Sequence, residues 1–96
     1  MKQHITKEQW DELSKDGQNA LKEFIGFDNL EEHIYNITIG EMIEFLGKDL
    51  YSIKRLGEDY EVWTLLAVGF EEMYAPKKEE LADALWEAVK FKLIES

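Results

Sequence analysis

The spacing of apolar residues changes along the chain, and the changes mark out the elements. From Thr6 to Ile25 the apolar positions recur at helical intervals, with Trp10 and Leu13 on one face, then Leu21, Phe24 and Ile25. Thr6-Lys7-Glu8-Gln9 fits a capping box, in which the threonine oxygen accepts from the backbone and Gln9 reaches back. Ser14 reads as the N-cap of a second start, Gly17 is tolerable in a first turn, and Gly26 is placed as a C-cap. Two short helices, or one bent between Ser14 and Gly17, satisfy this pattern. Residues 27–37 form a connection in which Leu30, Ile34 and Ile37 have the spacing of one or two helical turns. A second capping box, Thr38-Ile39-Gly40-Glu41, opens a helix striped by Met42, Ile43, Phe45 and Leu46, and Gly47 ends it.

The period then becomes ambiguous. Leu50 to Leu56 read as a strand, yet Leu46, Leu50 and Ile53 also keep helical spacing, so the helix resuming after Gly47 is an equal reading. Tyr60 to Leu66 are predicted to be extended and paired with a neighbouring strand. Val62, Trp63 and Thr64 favour that state, the turn-like Gly57-Glu58-Asp59 precedes them, and Gly69 bounds the run that follows. Phe70 to Tyr74 are a candidate second strand. Residues 77–93 predict one continuous helix. Pro76 stands near its start, Glu79 and Glu80 favour its N-terminal dipole, and Lys90 and Lys92 favour its C-terminal end. Leu81, Leu85, Ala88, Val89 and Leu93 form its buried stripe, with Trp86 beside it. The expected fold is α+β, one small domain over residues 1–96 with three to four helices and a short antiparallel hairpin or meander. An all-α bundle is the alternative.

Composition narrows the function class. The chain is 45% hydrophobic, so its acid belongs to the surface of a folded domain and not to a disordered tail. Twenty-one acidic residues against eleven basic ones leave a formal net charge of -10. Such a surface repels nucleic acid and attracts basic protein surfaces. There is no cysteine for disulfide or thiol chemistry. No apolar run approaches the roughly 20 residues of a membrane span, and MKQHITKEQW lacks the apolar stretch of a signal peptide. A cytoplasmic protein of a bacterial host cell, with no membrane association, is expected.

Motifs for catalysis are not found. His4 and His33 lack the spacing of a metal site, Ser14 reads as a cap, and Ser52 has no nucleophile-elbow glycines around it. No phosphate-binding glycine loop occurs, and Asp28-Asn29-Leu30-Glu31-Glu32 lacks the turn glycine of a calcium loop. Asp11, Glu12, Glu41 and Glu44 read as solvent-facing helical carboxylates. The expectation is therefore a non-enzymatic protein with no catalytic residue, metal or cofactor. Trp63, Trp86, Tyr51 and Tyr60 read as core aromatics in preference to a base-stacking platform, which needs a basic groove. Arg55 is the only arginine, so direct nucleic-acid binding is not expected.

Charge spacing offers one sharper candidate. Glu79, Asp83 and Glu87 recur every four residues, which on a helix sets them about 6 Å apart along one face. Like charges at that interval weaken an isolated helix, so an acidic rail imitating a phosphate backbone is the functional reading. A solvated face that keeps the protein dispersed is the plainer one. Duplex DNA carries one charge per about 1.7 Å of axis, so Glu58, Asp59 and Glu61, or Glu71 and Glu72, would have to join the rail. These eight residues are the expected partner-binding set, facing a basic surface of another protein, a nucleic-acid-binding one. Docking through an apolar patch as an adaptor, in the form of a homodimer, is the alternative.

Thr38-Ile39-Gly40-Glu41-Met42-Ile43-Glu44-Phe45-Leu46 and Leu81-Ala82-Asp83-Ala84-Leu85-Trp86-Glu87-Ala88-Val89-Lys90 resemble segments of small acidic proteins of phages and integrated mobile elements in Firmicutes. Trp10, Leu13-Ser14, Ala20-Leu21 and Phe24 are similar as well. The resemblance implies a mobile-element setting and carries no functional residues with it. Small acidic proteins of that setting often act as inhibitors of host nucleases, the anti-restriction and anti-CRISPR kinds among them, and this is analogy at the level of setting.

Overall fold

Both capping boxes form. A computed structural model describes residues 3–25, 37–68, 72–73 and 75–95. Helix α1 runs Lys7–Asp11, with Thr6 Oγ1 accepting the Gln9 N–H at 3.2 Å and Gln9 Oε1 accepting the Thr6 N–H at 2.9 Å. The chain breaks at Leu13, and Ser14 Oγ accepts the Gly17 N–H at 3.2 Å to start α2, Lys15–Ile25. Two helices, not one bent helix, are the outcome. Trp10, Leu13 and Leu21 are buried, whereas Phe24 is half exposed and rests edge-on against Phe45 with ring centroids 5.2 Å apart. Gly26 as a C-cap, and the connection as far as Asn36, lie outside the described residues.

Residues 3–5 lie alongside 37–39, joined by Ile5 N–H to the Ile37 carbonyl and Ile39 N–H to the Gln3 carbonyl, both at 3.1 Å. This clasp fixes the start of α3, Ile39–Leu46, where Thr38 and Glu41 exchange side-chain caps. Gly47, at φ 50°, stops the helix in a backbone region that only glycine enters freely. After one 3₁₀ turn, Gly47–Asp49, the chain becomes strand β1, Leu50–Leu56. The strand reading of this segment therefore holds, and the all-α alternative falls. Glycine ends the helix and β2, Asp59–Thr64, supplies an antiparallel partner. Leu56 opposes Asp59, so Gly57-Glu58 is a two-residue loop. Positive φ at Gly57 (64°), and at no described non-glycine residue, makes it the primed turn with glycine first, which suits the twist of a hairpin.

The extended run predicted as far as Leu66 ends two residues earlier. Thr64 is buried, and its Oγ1 accepts the Leu66 N–H at 3.2 Å, which turns the chain away from the sheet. Ala67–Val68 (β3) then pairs with Glu72–Met73 (β4), the described part of the candidate strand at 70–74.

The helix expected over 77–93 also needs correcting. Lys77–Lys78 form a short strand, β5, that pairs with Tyr60 and Glu61 of β2, and α4 runs Leu81–Glu95. The Glu80 carbonyl accepts from Asp83 and Ala84 N–H, so the helix starts one turn later than Pro76 suggests. The sheet order is β1-β2-β5. Helix α4 lies against its inner face and packs on α3 and α2 on its other sides, giving an α+β architecture. Ala82, Ala84, Leu85, Trp86, Ala88 and Val89 are all fully buried, which is more of the helix circumference than the predicted stripe. Leu81 and Leu93 are partly buried at the margin of that core. No described helix is long and apolar enough to cross a membrane.

Candidate interaction surface

The α4 surface is narrow because its neighbours cover most of it. Gln9 of α1 and Glu12, the residue that caps its C-terminal end, tie this segment to α4 by three side-chain bonds. Gln9 Nε2 donates to Asp83 Oδ1 at 2.8 Å, Trp86 Nε1 donates to Glu12 Oε1 at 3.2 Å, and Lys90 Nζ donates to the same Glu12 oxygen at 2.9 Å. Lys90 also pairs with Glu87 at 3.1 Å. Lys90 donating to Glu12 holds that carboxyl below the usual range, against some opposing desolvation. Burial acts to lower the Lys90 pKa, and the bonds to Glu12 and Glu87 outweigh it and raise it.

The rail predicted on α4 is therefore not assembled as a single face. Glu79 precedes the helix and is exposed. Asp83 stands in the first turn and binds Gln9, while Glu87 is half-buried and neutralised by Lys90. What the fold does bring to them is Gln9 of α1, bound to Asp83, and Glu12, which shares Lys90 with Glu87; Glu8 and Asp11 of α1 are exposed. Sequence reasoning missed this juxtaposition and took Glu12 for a solvated carboxylate. Glu12 is exposed but bridges Trp86 and Lys90, 74 and 78 residues away. The signal available was weak: a buried indole N–H needs an acceptor, without saying which.

The second acidic group lies elsewhere. Opposed residues of an antiparallel pair share a face. Ile53 with Val62, and Arg55 with Tyr60, are thus on one face, and Ser52 with Trp63, Lys54 with Glu61, and Leu56 with Asp59 on the other. Val62 is fully buried, so its face is the inner one against α4. Asp59 and Glu61 project from the outer face, with the sheet between them and α4. There Asp59 lies 3.9 Å from Lys77, Trp63 Nε1 donates to Glu61 at 2.5 Å, and the Lys54 ammonium sits 4.9 Å from the Trp63 ring centroid. Glu58 is exposed in the hairpin turn. Glu72 contributes backbone to β4, and Glu71 lies outside the described residues. Of the four aromatics, Trp86 is core as expected, whereas Tyr51 is 62% exposed and Tyr60 and Trp63 are partly so.

Other chemistry is sparse in what is described. A hollow of about 240 Å³ is lined by Glu12, Leu13, Ser14, Gly17, Lys90, Leu93 and Ile94. Its polar groups already serve the fold, as the Glu12–Lys90 pair and the α2 cap. The His4 ring Nδ1 lies 2.8 Å from the Ile5 carbonyl, and His33 is outside the described residues. Among the described residues no group of three or more His, Cys, Asp or Glu side chains is placed to hold a metal ion. Comparison with family models, curated proteins and solved structures returned no match.

Proposed function

We propose that the protein is a non-enzymatic binding protein whose acidic helical surface docks onto a basic, nucleic-acid-binding surface of another protein, as a mobile-element inhibitor of a host defence protein would. One observation carries the reading, namely where the charge lies. Residues 50–78, which hold the sheet, contain five acidic and four basic residues, while the rest of the chain contains sixteen acidic and seven basic. The excess negative charge thus lies outside residues 50–78, and there Glu8 and Asp11 of α1 and Glu79 ahead of α4 are exposed, with Gln9 of α1 bound to Asp83. Such a surface supplies long-range attraction and orientation toward a cationic groove, and it disfavours direct contact with nucleic acid.

The test reverses Glu8, Asp11 and Glu79 to Lys together. All three are exposed and stand apart from the core, so the fold should persist. Wild-type and reversed proteins are used to capture nucleic-acid-binding proteins from a bacterial lysate. The affinity for each captured protein is then measured at two salt concentrations with duplex DNA as competitor. Docking through the acidic surface requires the reversed variant to bind at least about tenfold more weakly, DNA to compete, and salt to weaken the wild-type complex. An affinity indifferent to reversal, salt and DNA overturns the reading.

A further inference from the structure

The free edge of the sheet is built unlike the rest of the surface. Strand β1 stands at the end of the order β1-β2-β5, so one row of its backbone N–H and C=O groups faces no other described strand. Edges of this kind are ordinarily guarded by charged side chains laid over them. Here both cations of β1 lean the other way. Lys54 lies over the Trp63 ring, and Arg55 lies over Tyr60 at 5.5 Å while its Nε donates to the Gly57 carbonyl at 3.3 Å. Both aromatic partners belong to β2. That leaves Tyr51, Ile53 and Leu56 exposed along the edge, at 62%, 37% and 45%.

From this arrangement we infer that β1 pairs antiparallel with β1 of a second copy of this chain, about a two-fold axis at Ile53. A two-fold interface must be complementary to itself. With Ile53 opposite Ile53, Ser52 meets Lys54, Tyr51 meets Arg55, and Leu50 meets Leu56. Centring on Lys54 or Arg55 would instead set like charges directly opposite one another, which is destabilising. The wider field selects the same edge. Copies that each carry -10 meet best where their acid is least, and β1 has two basic residues and no acidic one. The bulge at Tyr51, where the register against β2 slips between Leu50 and Ser52, limits the paired length. The dimer is accordingly small in area and concentration-dependent. It leaves the α1–α4 surface open, so it stands independently of the docking reading.

Single-cysteine variants test it, because the chain has no cysteine of its own. Self-paired residues of an antiparallel pair have Cα atoms about 4.5–5.5 Å apart, within disulfide range. Under mild oxidation Ile53→Cys should form a cross-linked dimer at least about tenfold faster than Ile94→Cys, whose position is more exposed at 77% but lies on α4. Sedimentation equilibrium of the wild type should show mass rising with concentration, and Ile53→Lys, with a native circular dichroism spectrum, should abolish the rise. Equal cross-linking rates overturn the proposal, as does a wild type that remains monomeric up to about 1 mM.

Discussion

Helix α4 and strand β1 are both rich in apolar residues, and the fold treats them in opposite ways. Six of the fifteen residues of α4 are fully buried, and its Asp83, Glu87 and Lys90 bind Gln9, Glu12 or each other. No residue of β1 is buried. Its inner neighbour β2 carries Val62 and Thr64 into the core, and β1 mostly extends the sheet outward beyond the helices. Apolar content alone therefore does not locate stability. In α4 most of it is consumed by packing, and in β1 most of it stays exposed.

Truncation is the strongest way to break this comparison. Trp86→Ala removes the largest fully buried side chain and orphans its bond to Glu12, and should destabilise by about 3–5 kcal/mol. Leu56→Ala on β1 should change stability by less than about 1 kcal/mol, since Leu56 is 45% exposed. Denaturant midpoints of the two variants decide it. Similar losses would show that β1 is as much a part of the core as α4.

The junction between the regions ranks next. Gly47 separates α3 from β1 at φ 50°, ψ -125°, with no atom within 4 Å of where a Cβ would stand. Space is available, so Gly47→Ala isolates the backbone strain, which should cost about 1–3 kcal/mol. A loss near zero would mean that the helix-to-strand change is set by the β1–β2 pairing and not by this glycine. Thr38→Ala removes a cap on the α3 side of the same junction and should cost about 1 kcal/mol, with α3 amides gaining hydrogen exchange before those of α4.

What the sequence made legible follows the range of each interaction. Thr6 with Gln9, Ser14 with Gly17, and Thr38 with Glu41 are caps completed within three residues, and the sequence pattern shows each of them. Leu50–Leu56 was ambiguous because its partner lies across a hairpin, and helical spacing from Leu46 competed with it. Lys77 and Lys78 look like a helical first turn after Pro76, yet Tyr60 and Glu61 draw them into the sheet. The environment of the acidic rail was hidden for the same reason. Identical spacing at Glu79, Asp83 and Glu87 says nothing about Gln9 and Lys90, and those neighbours decide which carboxylates remain available. Lys92, expected to favour its own helix end, instead donates to the Phe45 carbonyl at 2.7 Å and pairs with Asp49 at 3.0 Å, closing the end of α3.

The smallest expected effect sharpens the comparison most finely, because it asks whether the α1–α4 seam is held by charge or by packing. The Glu12 side chain is 49% exposed, so its pair with Lys90 is screened and should contribute less than about 1 kcal/mol. The Glu12 pKa is lowered in the folded state, so its contribution is complete above the unfolded value and disappears as pH falls through the folded one. The Lys90 pKa is raised, so its contribution is complete below the unfolded value and disappears as pH rises through the folded one. Between those limits wild type should exceed Glu12→Gln in stability, and the two curves should converge toward acid and again toward strong alkali. Glutamine still offers an oxygen to the Trp86 N–H, so the difference isolates the charge. Urea unfolding of both proteins across that range is the measurement. A gap that persists unchanged at low pH would mean that the seam depends on the shape of Glu12 and not on its charge, and the seam would then resemble the buried flank of α4 more than an electrostatic surface.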